Sequence, residues 1–206
     1  MLAFQIILLF WHKISNINKD FNLEVVELGK FILKLVDMDI MSVSAKTIVN
    51  PLNTYLKLSI ADGHVSSVIN KLAGPELQME LDKIAERYDK YLPEGIVVRT
   101  GPYGLSRFGI QTILHTATKN PGEDYKYLRT ALCNILSGTV MKIYPEPVVM
   151  PLICNHAGGV SATEFIRVLM EEINEAEGPS THPIALYLAI PEKEKYEQVV
   201  KYLKEK

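Results

Sequence analysis

Cysteine is scarce: Cys133 and Cys154 are the two in 206 residues. That excludes a small scaffold stapled by several disulfides. One disulfide is the most the chain can form, and two free thiols in a cytoplasmic protein is the simpler expectation. Charge of one sign is lacking as well, with 22 Lys and Arg against 24 Asp and Glu and a formal net charge of -2. No field gathers nucleic acid nonspecifically, and no basic patch is interleaved with aromatics. No glycine-rich loop ends in Gly-Lys-Ser/Thr, so a Walker phosphate loop is excluded, and the dinucleotide fingerprint is missing too. Internal repeats, heptads and low-complexity segments do not occur. The one long apolar run, Met1 to Trp11, is stopped by His12 and Lys13. It falls short of the roughly 20 residues that span a bilayer and lacks a basic leading region. Phe4 to Phe10 therefore reads as a buried strand; the alternative is a targeting or membrane-associated segment.

What remains is a folded composition, 48% hydrophobic, long enough for a substantial core and most simply one domain over 1–206. Within it, 1–22 reads as an extra edge strand and connector. Strands are expected at Leu23–Leu28, Phe31–Val36, Thr47–Val49, Ile96–Thr100, Thr112–His115, Val148–Ile153 and Ile184–Ile190. A helix is expected from Val68, capped by Ser66 or Ser67 and broken at Gly74-Pro75. A second, Glu76 to Tyr91, carries Leu77, Leu81, Ile84, Tyr88 and Tyr91 on one face. Further helices are expected at Tyr125–Leu136, Thr163–Glu175 and Glu192–Leu203. Strands alternating with helices imply an α/β fold, a three-layer α/β/α sandwich with a mixed, mostly parallel central sheet. Its first strand would be antiparallel at an edge.

Ligands of such sheets collect beyond the C-terminal ends of adjacent parallel strands. Two segments have the composition for it. The strand Thr47-Ile48-Val49-Asn50-Pro51-Leu52-Asn53 ends in carboxamides and runs through Asp62-Gly63-His64-Val65-Ser66-Ser67 into a helix, whose first N–H groups suit a phosphate. The second is Asn155-His156-Ala157-Gly158-Gly159-Val160, where paired glycines either let the backbone approach a ligand or simply make a turn. Together they favour a nucleotide or sugar-phosphate ligand.

In order along the chain, these segments resemble a macro domain, the fold known for binding ADP-ribose. The family reads Gly-Asp-Ile, then a strand ending Ile-Val-Asn-Ala-Ala-Asn, then a Gly-Gly-Val loop. Here Asp39-Ile40 precedes Ile48-Val49-Asn50-Pro51-Leu52-Asn53. Glu94 to Thr100, Thr112 to Ala117, and Pro151-Leu152-Ile153-Cys154-Asn155-His156-Ala157-Gly158-Gly159 follow in register. The likeness covers about Leu23 to Leu203. It implies that Asp39 accepts from the adenine amine, with the Ile40 amide nearby, and that Asn53 bonds the distal ribose. Gly63, Val65, Ser66 and their neighbours would hold one phosphate, and Asn155 to Val160 would clasp the diphosphate from the other side. Ile190 or Pro191 would lie against the adenine.

The departures are as informative. Asp62-Gly63-His64 stands where the family has a run of glycines, His156 stands where its second loop has glycine, and Cys154-Asn155 replaces Ser-Thr. Each adds a side chain to a site built around having none. Asp39 reads equally as a turn cap, and Asn50 as a structural tie between strand and loop. Two imidazoles on facing loops can share a phosphate, act as acid and base, or bind a metal, though a metal needs a third ligand and Asp62 is the nearby candidate. His115 reads as a core histidine and Cys154 as a buried thiol. The resemblance thus implies binding of ADP-ribose or a related nucleotide diphosphate sugar, or of an ADP-ribosylated protein, without metal, cofactor, nucleic acid or membrane. If the site is catalytic, the expected reaction is hydrolysis at the distal ribose, with Asn53 positioning it and Asp62 or His64 handling a proton. The alternative is a module that keeps the fold and has lost the ligand.

Overall fold

Strands that are apolar on both faces need cover on both sides, and the helices supply it. The computed structural model describes residues 22–118, 120–156, 158–176, 178 and 182–205. Its elements run β1 (Leu23–Leu28), β2 (Phe31–Val36), β3 (Thr47–Leu52), α1 (Val65–Ala73), α2 (Pro75–Glu86), β4 (Val97–Thr100), β5 (Thr112–Ala117), α3 (Lys126–Val140), β6 (Val148–Met150), α4 (Ala162–Glu175), β7 (Ile184–Ala189) and α5 (Lys193–Lys204). They build a seven-stranded sheet of order β1-β2-β7-β6-β3-β5-β4. The four inner pairings are parallel, while β1 on β2 and β4 on β5 are antiparallel. This is the mixed, mostly parallel α/β/α sandwich. Its antiparallel edges are β1 and β4; the strand expected at Phe4–Phe10 lies outside the described residues.

Alternation along each strand sorts side chains into two cores. Leu33, Leu35, Val49, Leu114, Met150 and Leu186 face α3, α4 and α5. Val36, Ile48, Ile113, Val149 and Ala189 face α1 and α2. The inner strands β3, β5 and β6 are thus buried on both faces, which is why they read as near-continuous apolar runs, whereas β1 keeps one face exposed.

Several boundaries differ from expectation for local reasons. The first helix begins at Val65 and not near Val68, and neither serine caps it. His64 is the N-cap, without a side-chain bond, while Ser67 Oγ donates to the His64 carbonyl at 2.8 Å. The second helix stops at Glu86, because Asp89 and Lys90 take left-handed backbone (φ 51° and 65°). Tyr91 leaves the helix and meets Tyr55 edge-on at 5.9 Å. β6 ends at Met150, ahead of Pro151, whereas α3 runs on to Val140. α4 starts at Ala162, one residue ahead of the expected Thr163, with Ser161 as its cap in a reciprocal capping box with Glu164.

One buried polar chain ties β3, β4 and β5 together. Asn50 Nδ2 donates to His115 Nδ1 at 3.1 Å, so the ring proton sits on Nε2 and reaches Thr100 Oγ1 at 2.9 Å. His115 is fully buried, and the loss of solvation pushes it down from 6.5 to about 3. Below about pH 6.5 the unfolded chain takes a proton there that the folded one refuses, so stability present above that pH is lost progressively as it falls toward 3. Urea unfolding should lose about 2 kcal/mol through this ring between about pH 7 and pH 5. His115→Gln should flatten that stretch of the profile; an unchanged slope would mean the ring is not held neutral.

Candidate ligand-binding cleft

β3 and β6 pair only through Thr47 with Val148 and Ile48 with Val149. Beyond them β3 stays on β5 as far as Leu52, whereas β6 has already ended. Pro51 stands on β3 and Pro151 directly after β6, and neither has an N–H to extend a ladder. A cleft of about 690 Å³ opens in that gap, with both prolines, Leu52 and Leu152 in its lining and Pro191 contributed from beyond β7. Its place, past the C-terminal ends of parallel strands, is where α/β sheets receive ligands, and its size suits a small molecule.

The segment from Asn53 to His64 straps across one side. Asn53 organises its start: Oδ1 accepts the N–H groups of Tyr55 (3.0 Å) and Lys57 (3.2 Å), and Nδ2 donates to the Lys57 carbonyl at 3.0 Å. Leu56, fully buried, holds a left-handed backbone (φ 54°) as the strap's anchor, a conformation costing about 1–2 kcal/mol that packing must offset. Gln78 ties the strap to α2 through the Leu58 amide and the Leu56 carbonyl. Ser66 Oγ accepts the Ser59 N–H at 3.0 Å, and Asn70 Nδ2 donates to the Ser59 carbonyl. Ile60, at the tip, is 89% exposed and lines the cleft.

At the end of the strap, α1 points its N-terminus into the cleft. Val65 and Ser66 both line it, and their N–H groups have no acceptor among the described residues. Facing them is the turn after β6. Cys154 takes φ 60° there, its Sγ donating to the Thr118 carbonyl at 3.1 Å, and burial pushes its thiol up to about 12. The thiol is inert at neutral pH. Asn155 Nδ2 donates to the Val160 carbonyl, and Lys195 Nζ donates to Asn155 Oδ1 at 2.6 Å and to Glu192 at 3.2 Å. The two imidazoles meet across the opening, His64 and His156 ring centroids lying 6.2 Å apart at 85°.

Of the residues expected at a site, Asp39, Asn53, Gly63, His64, Val65, Ser66, Asn155 and His156 are brought to this cleft. Asp39 also caps its turn, Oδ1 accepting the Met41 N–H at 2.8 Å. Others stand elsewhere. Asn50 is buried against His115, and the Ile40 side chain is buried in the second core, while its backbone N–H, the group expected at the site, has no acceptor among the described residues. Asp62 pairs with Lys71 and is 86% exposed; that ammonium holds its carboxyl below the usual range. The expected catalytic carboxylate is therefore outside the lining, paired with a lysine. Gly158, Gly159 and Val160 are also outside it. Gly159 N–H turns to the His156 carbonyl (3.4 Å) and Val160 N–H to that of Cys154 (3.1 Å), so these amides close their own loop. Ala157 lies outside the described residues.

Sequence reasoning passed over Lys57, Ser59, Ile60, Thr118 and Glu192, which also line the cleft. Ile60 carried a signal, a bulky apolar residue alone in a polar loop. The Lys195 contact with Asn155 carried none, because forty residues separate the two. Among the described residues no three His, Cys, Asp or Glu side chains gather as a metal site requires, and no helix is long and apolar enough to cross a membrane.

The turn needs glycine at 158. A Cβ there would lie 2.7 Å from both the Cys154 Cβ and its carbonyl oxygen. Gly158→Ala should therefore cost about 1–3 kcal/mol, read as a lower thermal midpoint; an unchanged midpoint would show that the turn gives way freely.

The family model described as Macro domain matches residues 49–169. Among curated proteins none matches. An Oceanobacillus iheyensis macrodomain solved with ADP is 21% identical, with a TM-score of 0.74 over 91% of this chain and 99% of that one. A mutant of that macrodomain solved with ADPR is 22% identical, with a TM-score of 0.73 over 90% of this chain and 100% of that one. A Trypanosoma brucei macrodomain in complex with ADP-ribose is 20% identical, with a TM-score of 0.68 over 83% and 68%.

Proposed function

The chain belongs to the macro domain family, and from that premise we propose that its cleft binds ADP-ribose or a closely related nucleoside diphosphate sugar. One observation carries the reading: the unengaged N–H groups of Val65 and Ser66, at the positive end of α1, open into a cleft of about 690 Å³. Ordered amides bind phosphate with little reorganisation and need no lysine. Similar folds solved with ADP, ADPR and ADP-ribose support the choice of ligand. In this reading Asp39 lies toward the adenine with Pro191, and Asn53 toward the distal ribose. The protein partner would be a chain that carries the same group.

The reading is one of binding. Hydrolysis at the distal ribose would call on Asn53 and on Asp62 or His64, yet Asp62 is committed to Lys71 outside the lining. Asn53 has its carbonyl oxygen filled by two N–H groups of its own strap. Incubation with ADP-ribose-1″-phosphate should leave it intact, and release of phosphate would reverse this part of the reading.

The binding claim has a selective test. Val65 is the first residue of α1, a position where proline keeps a helix and removes only the N–H. His64 before it is already extended (φ -107°, ψ 140°), as a residue preceding proline requires. Val65→Pro should fold normally and bind ADP-ribose roughly tenfold more weakly in calorimetry. Absence of heat from the unaltered protein at millimolar ADP-ribose would end the proposal.

A further inference from the structure

Two loops from different strands each end a side chain at the same gap. His64 closes the strap before α1, and His156 sits in the turn after β6; both line the cleft and both are exposed. Their rings lie edge to face at 6.2 Å. Neither imidazole has a hydrogen-bond partner among the described residues, and the Glu192 carboxylate stands 3.8 Å from His156 Nε2. Four ring nitrogens are thus gathered beside the positive end of a helix, where a cation is disfavoured unless an anion joins it.

We infer that His64 and His156 form a two-sided phosphate clamp, each ring donating an N–H to the anionic group that the first amides of α1 hold, and taking up a proton from solvent as the nucleotide binds. The inference rests on the cleft being the ADP-ribose site. It turns the two departures from a glycine-lined loop into the source of selectivity: the ligand must carry phosphate, and it binds more tightly as pH falls. The sign follows from linkage. An anion favours the protonated ring, so the bound state holds more protons, and affinity rises through the range where imidazole titrates.

The charged groups facing the pair do not imitate this. Asp62 is held low by Lys71, Lys57 is paired with Asp82, and Glu192 is joined to Lys195. Asp39 is the remaining carboxylate of the lining, and neither carboxylates nor ammonium groups ordinarily titrate between about pH 6 and pH 8. Cys154 is pushed up to about 12 and His115 down to about 3. His182 lies just before the start of β7, at the opposite end of that strand from the cleft. ADP-ribose is the suitable probe, since its diphosphate lacks the terminal group whose second proton leaves near pH 6.

Calorimetry with ADP-ribose at about pH 6 and about pH 8, in two buffers of different ionisation enthalpy, tests the clamp. The unaltered protein should bind roughly tenfold tighter at the lower pH, with net proton uptake. His64→Gln and His156→Gln should each reduce the uptake, and the double variant should bind weakly and without pH dependence. Adenosine should show no pH dependence with any of them. Equal affinity at both pH values without proton uptake would overturn the clamp and leave the ADP-ribose reading standing. Tighter binding by the double variant would overturn it as well, by showing that the rings obstruct. The same pH dependence with adenosine would show that phosphate is not what they sense. No binding by any variant would remove the clamp and the reading together.

Discussion

The short register between β3 and β6 is the constraint from which the site follows. Two residue pairs join the strands, and then β3 continues along β5 while β6 stops at a proline. Had β6 kept pairing as far as Leu52, backbone would fill the space that Pro51 and Pro151 now border. Because the strands separate, the strap after β3 and the turn after β6 emerge on opposite sides of one gap. Most of the polar lining is delivered by those two connections and the start of α1, with Asp39 added from the turn after β2, Thr118 from beyond β5 and Glu192 from beyond β7.

The walls of the gap differ in how they are held. The strap is fixed from behind: Leu56 and Leu58 are buried in the second core, Gln78 grips two of its backbone groups, and Ser66 and Asn70 hold Ser59. The facing turn is fixed from within, by its own carbonyls, by Asn155 and by Lys195 reaching from α5. The Gly159 and Val160 amides are therefore occupied within the turn, while those of Val65 and Ser66 at the start of α1 are unengaged among the described residues. A phosphate would meet amides on one wall and imidazoles at the mouth, an asymmetry that a purely glycine-lined site would lack.

Much of the fold was legible, because its signals are periodic and local. Every described strand core was placed, and the helices from Tyr125, Thr163 and Glu192 were found to within a turn at their starts. The misses share a cause. Tyr88 and Tyr91 continue a helical spacing, but the left-handed turn at Asp89 and Lys90 diverts the chain so that Tyr91 can meet Tyr55. Of the site, residues next to strand ends could be read, since topology alone carries them to the cleft. The direction of a side chain could not. Asp62 turns to Lys71, Asn50 to His115, and the Gly159 amide to its own loop. Each choice depends on a partner that composition and spacing do not identify.

In the proposed complex a nucleotide diphosphate sugar sits between the start of α1 and the turn after β6. A nitrogen–proton correlation spectrum of the isotope-labelled protein, recorded with and without ADP-ribose, tests it most directly. The largest shifts should fall at the backbone amides of Val65 and Ser66, with further shifts at His64, His156 and the strap around Ser59. Shifts confined to another surface, such as the groove between β1 and α5, would contradict it.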